Sequence, residues 1–421
     1  MPAVSCGRVT RVGGGRVQAD LPCAAHGDAV KIGIANAPLF GTIADVCSQN
    51  VSVIPHGSIE GVVPGDVVRI EPEGLCVPLG MGALGRAFDS NGNALDNRGA
   101  LSGRATKICR RVPTAAQRAE ISVPLWSGVR SIDGLLTIGR GARIGIFGAP
   151  GAGKSTLLQA IARGVCADAV VIGLIGERGR EAREWIERCD TRTSIVCATS
   201  DRCAAERVHA ACVAFAQADV LRSRGLHVLV ILDSLARFGS ALREVAVASG
   251  ESVGRAGFPA SVFAQMAQLV EIGGASFRGS ISLVATVLTD GDERDPLSEA
   301  ARSILDGHIE LSQRLATRGH FPAIDIARSA SRTMAGVVGS GHRSAAAAVR
   351  KAIAWLEQTQ DARDLGIAST DPYGLLVQSA QPAIEEFLQQ GEDSIKPERA
   401  LAELSALADR VRGTTWTSPP I

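Results

Sequence analysis

The chain is short of lysine. Only Lys31, Lys107, Lys154, Lys351 and Lys396 occur among its 44 basic residues, so nearly all positive charge is arginine. A high-GC codon bias is the simple cause, yet it makes any lysine inside a motif worth inspecting. Net charge is also lacking, at +1 over 421 residues. That argues against a global polyanion binder, because non-specific nucleic-acid affinity comes mainly from basic residues neutralising phosphates. Aromatics make up 4%, with a single tyrosine. Ten cysteines are present, but none forms C-x-x-C and no Cys/His set has zinc spacing. They read as small core hydrophobes of a reducing cytoplasm. No apolar run reaches the roughly 18 residues of a transmembrane helix. The N-terminus lacks the basic and apolar regions of a signal peptide. With 46% hydrophobic and 21% charged residues, the composition is that of a soluble globular protein of two or three domains.

Residues 1–75 hold short β-type runs broken by glycine: 7–12, 16–21, 51–54 and 65–70. Short alternating strands with turn signals predict a small barrel or sandwich. From about residue 140, continuous apolar runs (143–147, 169–175, 194–198, 227–232 and 280–288) alternate with helical patterns such as 181–189, 203–224 and 235–248. That alternation predicts a parallel sheet covered on both faces. After about 343 the runs stop, and 344–360, 383–390 and 397–412 read as helices, with a frayed end at 414–421. The expected fold class is α/β: a barrel (1–75), a phosphate-loop domain with a mainly parallel sheet (76–343) and a small helical domain (344–421).

The strongest motif is Gly148-Ala149-Pro150-Gly151-Ala152-Gly153-Lys154-Ser155. It matches G-x-x-x-x-G-K-[ST], with a strand before it and a helical run from Thr156 after it. Glycines let backbone N–H groups cradle phosphates, and the helix N-terminus adds a positive dipole end. Lys154 then reaches the β- and γ-phosphates and the Ser155 hydroxyl ligates Mg²⁺. One of five lysines thus falls where this chemistry requires it. An acid that positions the metal should end a later apolar strand, and 227–232 runs into Asp233. Glu177 lies just past the run 169–175, on the same expected edge. It fits a base that polarises the attacking water, with Arg178 binding phosphate. It equally fits a solvated charge run ahead of a helix with Glu181 in its first turn.

These residues carry a family resemblance. The stretches 176–181 and 232–238, with the phosphate loop, resemble the rotary ATP synthase α/β superfamily. Within it the chain is similar to the ATPases of type III protein secretion, which include the flagellar export ATPase. The segments 129–137, 199–202, 257–263, 303–309, 320–325 and 329–332 extend the likeness, and 384–390 does so loosely. Residues 199–202 and Gly257-Phe258-Pro259 lean towards the virulence type.

The resemblance implies a RecA-like domain in a homohexameric, MgATP-hydrolysing ring. By that likeness Glu177 is the catalytic glutamate and Arg178 the adjacent phosphate-contacting arginine. Gly148 to Thr156 hold the nucleotide, with Phe321 packing on adenine. Arg332 is the arginine finger given to the neighbouring subunit's site, with Arg328 a nearby competitor. The implied partners are stalk and stator proteins and chaperone–effector complexes. The implied location is cytoplasmic, peripheral on the inner membrane. Three local departures stand out. Strand-like sequence begins by residue 4, where the family has a helical arm towards the stator. Asp290–Asp295 carries an arginine, and Ala241 to Glu244 replaces a familiar Gln-Arg-Glu. Two other functions fit the sequence less well. A non-catalytic ring subunit would lack the carboxylate at 177. An RNA translocase of the Rho kind needs stacking aromatics, and residues 1–75 offer only Phe40.

Overall fold

Inward and outward residues alternate along six strands near the N-terminus: β1 (Cys6–Gly13), β2 (Arg16–Asp20), β3 (Ala29–Ile32), β4 (Leu39–Cys47), β5 (Asn50–Pro55) and β6 (Val67–Ile70). In β2, for example, Val17 and Ala19 are buried while their neighbours face out. Period-two burial requires one covered face, and the strands provide it by closing into a barrel in the order β1-β2-β5-β4-β3-β6. Antiparallel pairing of β1 with β6 completes the ring. Val9, Val17, Val30, Ile32, Ile43 and Val53 fill its interior. A closed barrel leaves no unpaired edge.

The computed structural model describes residues 5–33, 38–48, 50–108, 112–289, 295–365 and 371–413. The departure at 290–294 and the frayed end at 414–421 lie outside them. The chain divides into two units, each assembled from two stretches: Met1–Gln117 with Ala169–Ile272, and Arg118–Asp168 with Gly273–Ile421.

In the first unit, strands His227–Asp233, Ala169–Ile175 and Thr193–Ala198 run parallel in that spatial order. Every residue in the three is buried, as continuous apolar runs require. Arg86–Phe88 adds a fourth parallel strand beside Thr193–Ala198. The helix Ala204–Ser223 packs across all three long strands. The short helix Gly179–Glu187 buries Ala182 and Trp185.

In the second unit, Ser280–Leu288, Arg143–Gly148 and Gly307–Leu311 pair in parallel, and Ile324–Ser331 adds an antiparallel edge. Helices Ser340–Gln358, Pro372–Leu388 and Pro397–Arg412 pack together over Val349, Leu404, Leu407 and Val411. Asp371 caps the second of these by accepting from Gly374 N at 3.0 Å, which satisfies one of the helix's orphan donors. This helix starts eleven residues before the expected 383, because Pro382 reads as a start signal and instead lies inside it. Among the described residues, no helix is long and apolar enough to cross a membrane. The cysteines need a correction. Cys197 and Cys212 are buried, but Cys6, Cys23, Cys47 and Cys166 are exposed, and all nine described are free thiols.

Candidate active site

The candidate residues fall in both units. In the second, the strand Arg143–Gly148 ends at the phosphate loop and the helix Lys154–Gly164 begins immediately after it. The loop turns by left-handed backbone at Gly151 (φ 81°) and Gly153 (φ 89°), a region that costs residues with a Cβ about 1 kcal/mol or more. Ala152 is fully buried beneath. The first intrahelical bond joins Leu157 N to Gly153 O at 3.0 Å, so the amides of Lys154, Ser155 and Thr156 have no acceptor within the helix. Lys154 Nζ donates to Gly148 O and Ala149 O, both at 2.7 Å, which holds the ammonium over the loop. Ser155 and Thr156 are exposed. Leu157, Leu158 and Ile161 face the core, each stabilising the helix by about 2 kcal/mol.

Phe321 lies beside this loop. Its Cε1 is 3.5 Å from where a Cβ on Gly153 would stand, and 42% of the residue is exposed. Around it, Arg130, Gly319, Pro382, Glu385, Glu386 and Gln390 line a cavity of about 630 Å³. Arg328 and Arg332 are both exposed, one within the strand Ile324–Ser331 and one just past its end. Among the described residues the Arg332 guanidinium has no partner, while its N–H donates to Asp306 O at 3.0 Å.

In the first unit, the register pairs Leu174 with Asp233. Glu177, three residues further on, therefore comes to the same strand edge as Asp233. Both are buried, at 6% and 7% exposure. The Glu177 carboxyl is pushed up to about 8, first by burial, then by the Asp233 charge and a hydrogen bond with Glu181, against a lowering by Arg237. Arg237 Nε pairs with Glu177 Oε1 at 3.2 Å, and its Nη1 donates to Gly176 O. Ser234 accepts from Arg237 N at 3.2 Å and caps the helix Leu235–Ala248. Arg178, the N-cap of Gly179–Glu187, is exposed and has no side-chain partner among the described residues.

The Asp233 charge raises Glu177, a repulsion that a divalent cation at this edge would relieve. The carboxylates at this edge and, in the second unit, the exposed Ser155 hydroxyl are each hard oxygen donors of the kind Mg²⁺ prefers. Sequence reasoning missed Arg237. It stands four residues after Asp233, one turn into a helix that starts at the strand's end, and that spacing was the available signal.

A second feature of the first unit is a cavity of about 570 Å³ between the barrel and the helices Ala204–Ser223 and Leu235–Ala248. His56 and His209 meet beside it with ring centroids 5.1 Å apart. Burial, and then the neighbouring His209, lower the His56 pKa to about 3.

A family model described as the nucleotide-binding domain of the ATP synthase alpha/beta family matches residues 128–331. The type 3 secretion system ATPase of Sinorhizobium fredii is 40% identical over 400 residues, covering 92% of this chain and 89% of that one. The flagellum-specific ATP synthase of Pseudomonas aeruginosa is 41% identical over 357 residues, covering 82% and 79%. Among solved structures, the assembled ATPase EscN of the enteropathogenic E. coli type III secretion system matches with a TM-score of 0.89 at 36% identity, over 96% of this chain and 100% of that one. EscN in complex with its central stalk EscO matches with a TM-score of 0.88. With two fifths of its residues shared over most of both chains, this protein belongs to the type 3 secretion and flagellum-specific ATPases of the ATP synthase alpha/beta family.

Proposed function

We propose that the chain is the MgATP-hydrolysing motor of a type III secretion apparatus, working as a homohexameric ring. The observation that carries the catalytic reading is Glu177: a buried carboxyl beside Asp233, raised to about 8 and braced by Arg237. A base for water needs a proton affinity near the working pH, and burial beside a second acid supplies it. In this reading Lys154 and the first-turn amides hold the β- and γ-phosphates, and Phe321 packs on adenine. Ser155 and Asp233 would hold Mg²⁺, Asp233 through water. The bound ion supplies charge neutralisation at the transferring phosphoryl group. Glu177 takes the proton of the attacking water, and Arg178 steadies the phosphate. Glu177→Gln should lower turnover by about three orders of magnitude while ATP binding persists. Unchanged turnover would remove Glu177 from the chemistry.

The exposed Arg332, whose guanidinium has no partner among the described residues, supports a finger donated to a neighbouring subunit. Such a group spreads transition-state charge and makes each site shared. Specific activity should then rise with protein concentration, and Arg332→Ala should abolish that rise. Activity independent of concentration would overturn the shared site. The assembled EscN structures support a ring and a stalk partner. A stator protein and chaperone–effector complexes complete the proposed partners, on the cytoplasmic face of the bacterial inner membrane. The virulence type is favoured over the flagellar one by residues 199–202 and 257–259.

A further inference from the structure

Three segments of the second unit meet at Gln390, one through its backbone and two through its side-chain amide. The loop after the helix Pro372–Leu388 places Gln390 so that its backbone N–H donates to Phe321 O at 2.9 Å. Its Oε1 accepts from Arg130 N at 2.8 Å. Its Nε2 donates to Gly128 O at 2.9 Å and to Asp393 O at 2.8 Å. The partners fix the amide's orientation, since an N–H faces the oxygen and two carbonyls face the nitrogen. Arg130 reinforces the joint. Its guanidinium lies 5.3 Å from the Phe387 ring centre and donates to the carbonyls of Glu386, Phe387 and Gln389. Carbonyls at a helix's C-terminal end lack N–H donors within the helix.

Both ends of the phosphate-loop helix touch this joint. At the N-terminal end, the Phe321 ring packs against Gly153. At the C-terminal end, Gly164 packs on Gly128 so closely that a Cβ on Gly128 would stand 2.8 Å from Gly164 Cα. A Cβ on Gly164 would stand 3.0 Å from the Cβ of Ser394, in the same loop as Gln390. Arg163 reaches from that turn to Glu392 O at 3.2 Å.

We propose that Gln390 is a positioning residue for the nucleotide: it holds Phe321 over the phosphate loop and ties the state of that loop to the helices Pro372–Leu388 and Pro397–Arg412. The inference rests on the reading of Phe321 as the adenine-side residue. Gln390 touches no reacting atom: its backbone N–H holds Phe321 O, and its side chain anchors that loop to Gly128 and Arg130, the link that alanine would remove.

The test uses full-length protein. In Gln390→Ala, the KM for ATP and the Kd for a fluorescent ADP analogue with Mg²⁺ should each rise about tenfold, with kcat within about threefold of the parent. Gln390→Glu sets a carboxylate against two carbonyls and should restore neither constant. Leu404→Val, in the core of the same helices, controls for lost stability: it should lower Tm without moving KM. If Gln390→Ala lowers Tm but leaves KM and Kd at parent values, the residue is only structural and the proposal falls. Phe321→Ala, run in parallel, tests the underlying reading. Weakened binding there with parent-like binding in Gln390→Ala sinks only the Gln390 proposal, whereas parent-like binding in Phe321→Ala sinks the reading itself.

Discussion

The phosphate-loop region and the acidic edge do comparable work by opposite means. Around Gly148 to Ser155 the chemistry lies in the backbone: left-handed glycines, the first-turn amides of a helix and one lysine folded over the turn. Around Glu177 it lies in side chains from two segments of the chain, with burial, Asp233, Glu181 and, in the opposite sense, Arg237 setting the carboxyl's proton affinity. A backbone device is indifferent to most side-chain identities but intolerant of a Cβ where φ is positive. A side-chain device is the reverse, since every member sets the charge state of the others.

The largest expected effect is at the one side chain the loop depends on. Lys154→Ala should weaken ATP binding about a hundredfold, as loss of a charged phosphate contact implies, read by equilibrium titration. Near-parent binding would show that the backbone suffices without it. At the acidic edge, Arg237→Ala should lower kcat about tenfold or more with little change in nucleotide affinity. Arg237→Lys should not rescue it, because an ammonium cannot serve Gly176 O and Glu177 together in the planar geometry of a guanidinium. Rescue by lysine would reduce the role of Arg237 to charge alone.

The loop itself offers a sharper contrast. Gly153→Ala should lose about 1–2 kcal/mol of stability from the strained φ and weaken nucleotide binding. Pro150→Ala, at an exposed loop position, should change affinity by less than about threefold. Equal effects would end the distinction between backbone and side-chain devices.

The smallest effect is in stability against pH. Folded His56 resists protonation down to about pH 3, whereas the unfolded residue takes its proton near 6.5. The unfolded state therefore binds more protons between those values, and stability falls as pH drops below about 6.5. The slope is at most about 1.4 kcal/mol per pH unit for one such group. Denaturant titrations of His56→Gln should show a shallower acid slope than the parent. His209, the ring beside it, is left in place in both proteins, and an unchanged slope would assign the dependence elsewhere.

The same contrast governs what could be read from the sequence. The phosphate loop was legible because its parts are consecutive and each residue type has one physical reason to be there. The long buried strands were legible because their apolar runs are continuous, and 169–175 and 280–288 match the observed bounds. The strand Arg86–Phe88 was invisible, since three residues carry no period. Strands β3 and β4 lacked the clear apolar run of their neighbours, and only pairing within the barrel defines them. Arg237 and Gln390 were both inside quoted motifs, but their roles depend on partners brought from other segments. Spacing along one element does not carry that information.

The buried Trp185 is a built-in optical reporter. Trp185 is the only tryptophan in the two stretches of the first unit; Trp126 and Trp355 lie in the second, and Trp416 is outside the described residues. It is 6% exposed on the helix Gly179–Glu187, which starts two residues after Glu177. A variant with the other three replaced by phenylalanine would carry one intrinsic fluorophore in this unit, on the helix that follows Glu177. Its emission would follow the packing of that helix through a turnover cycle without any attached dye.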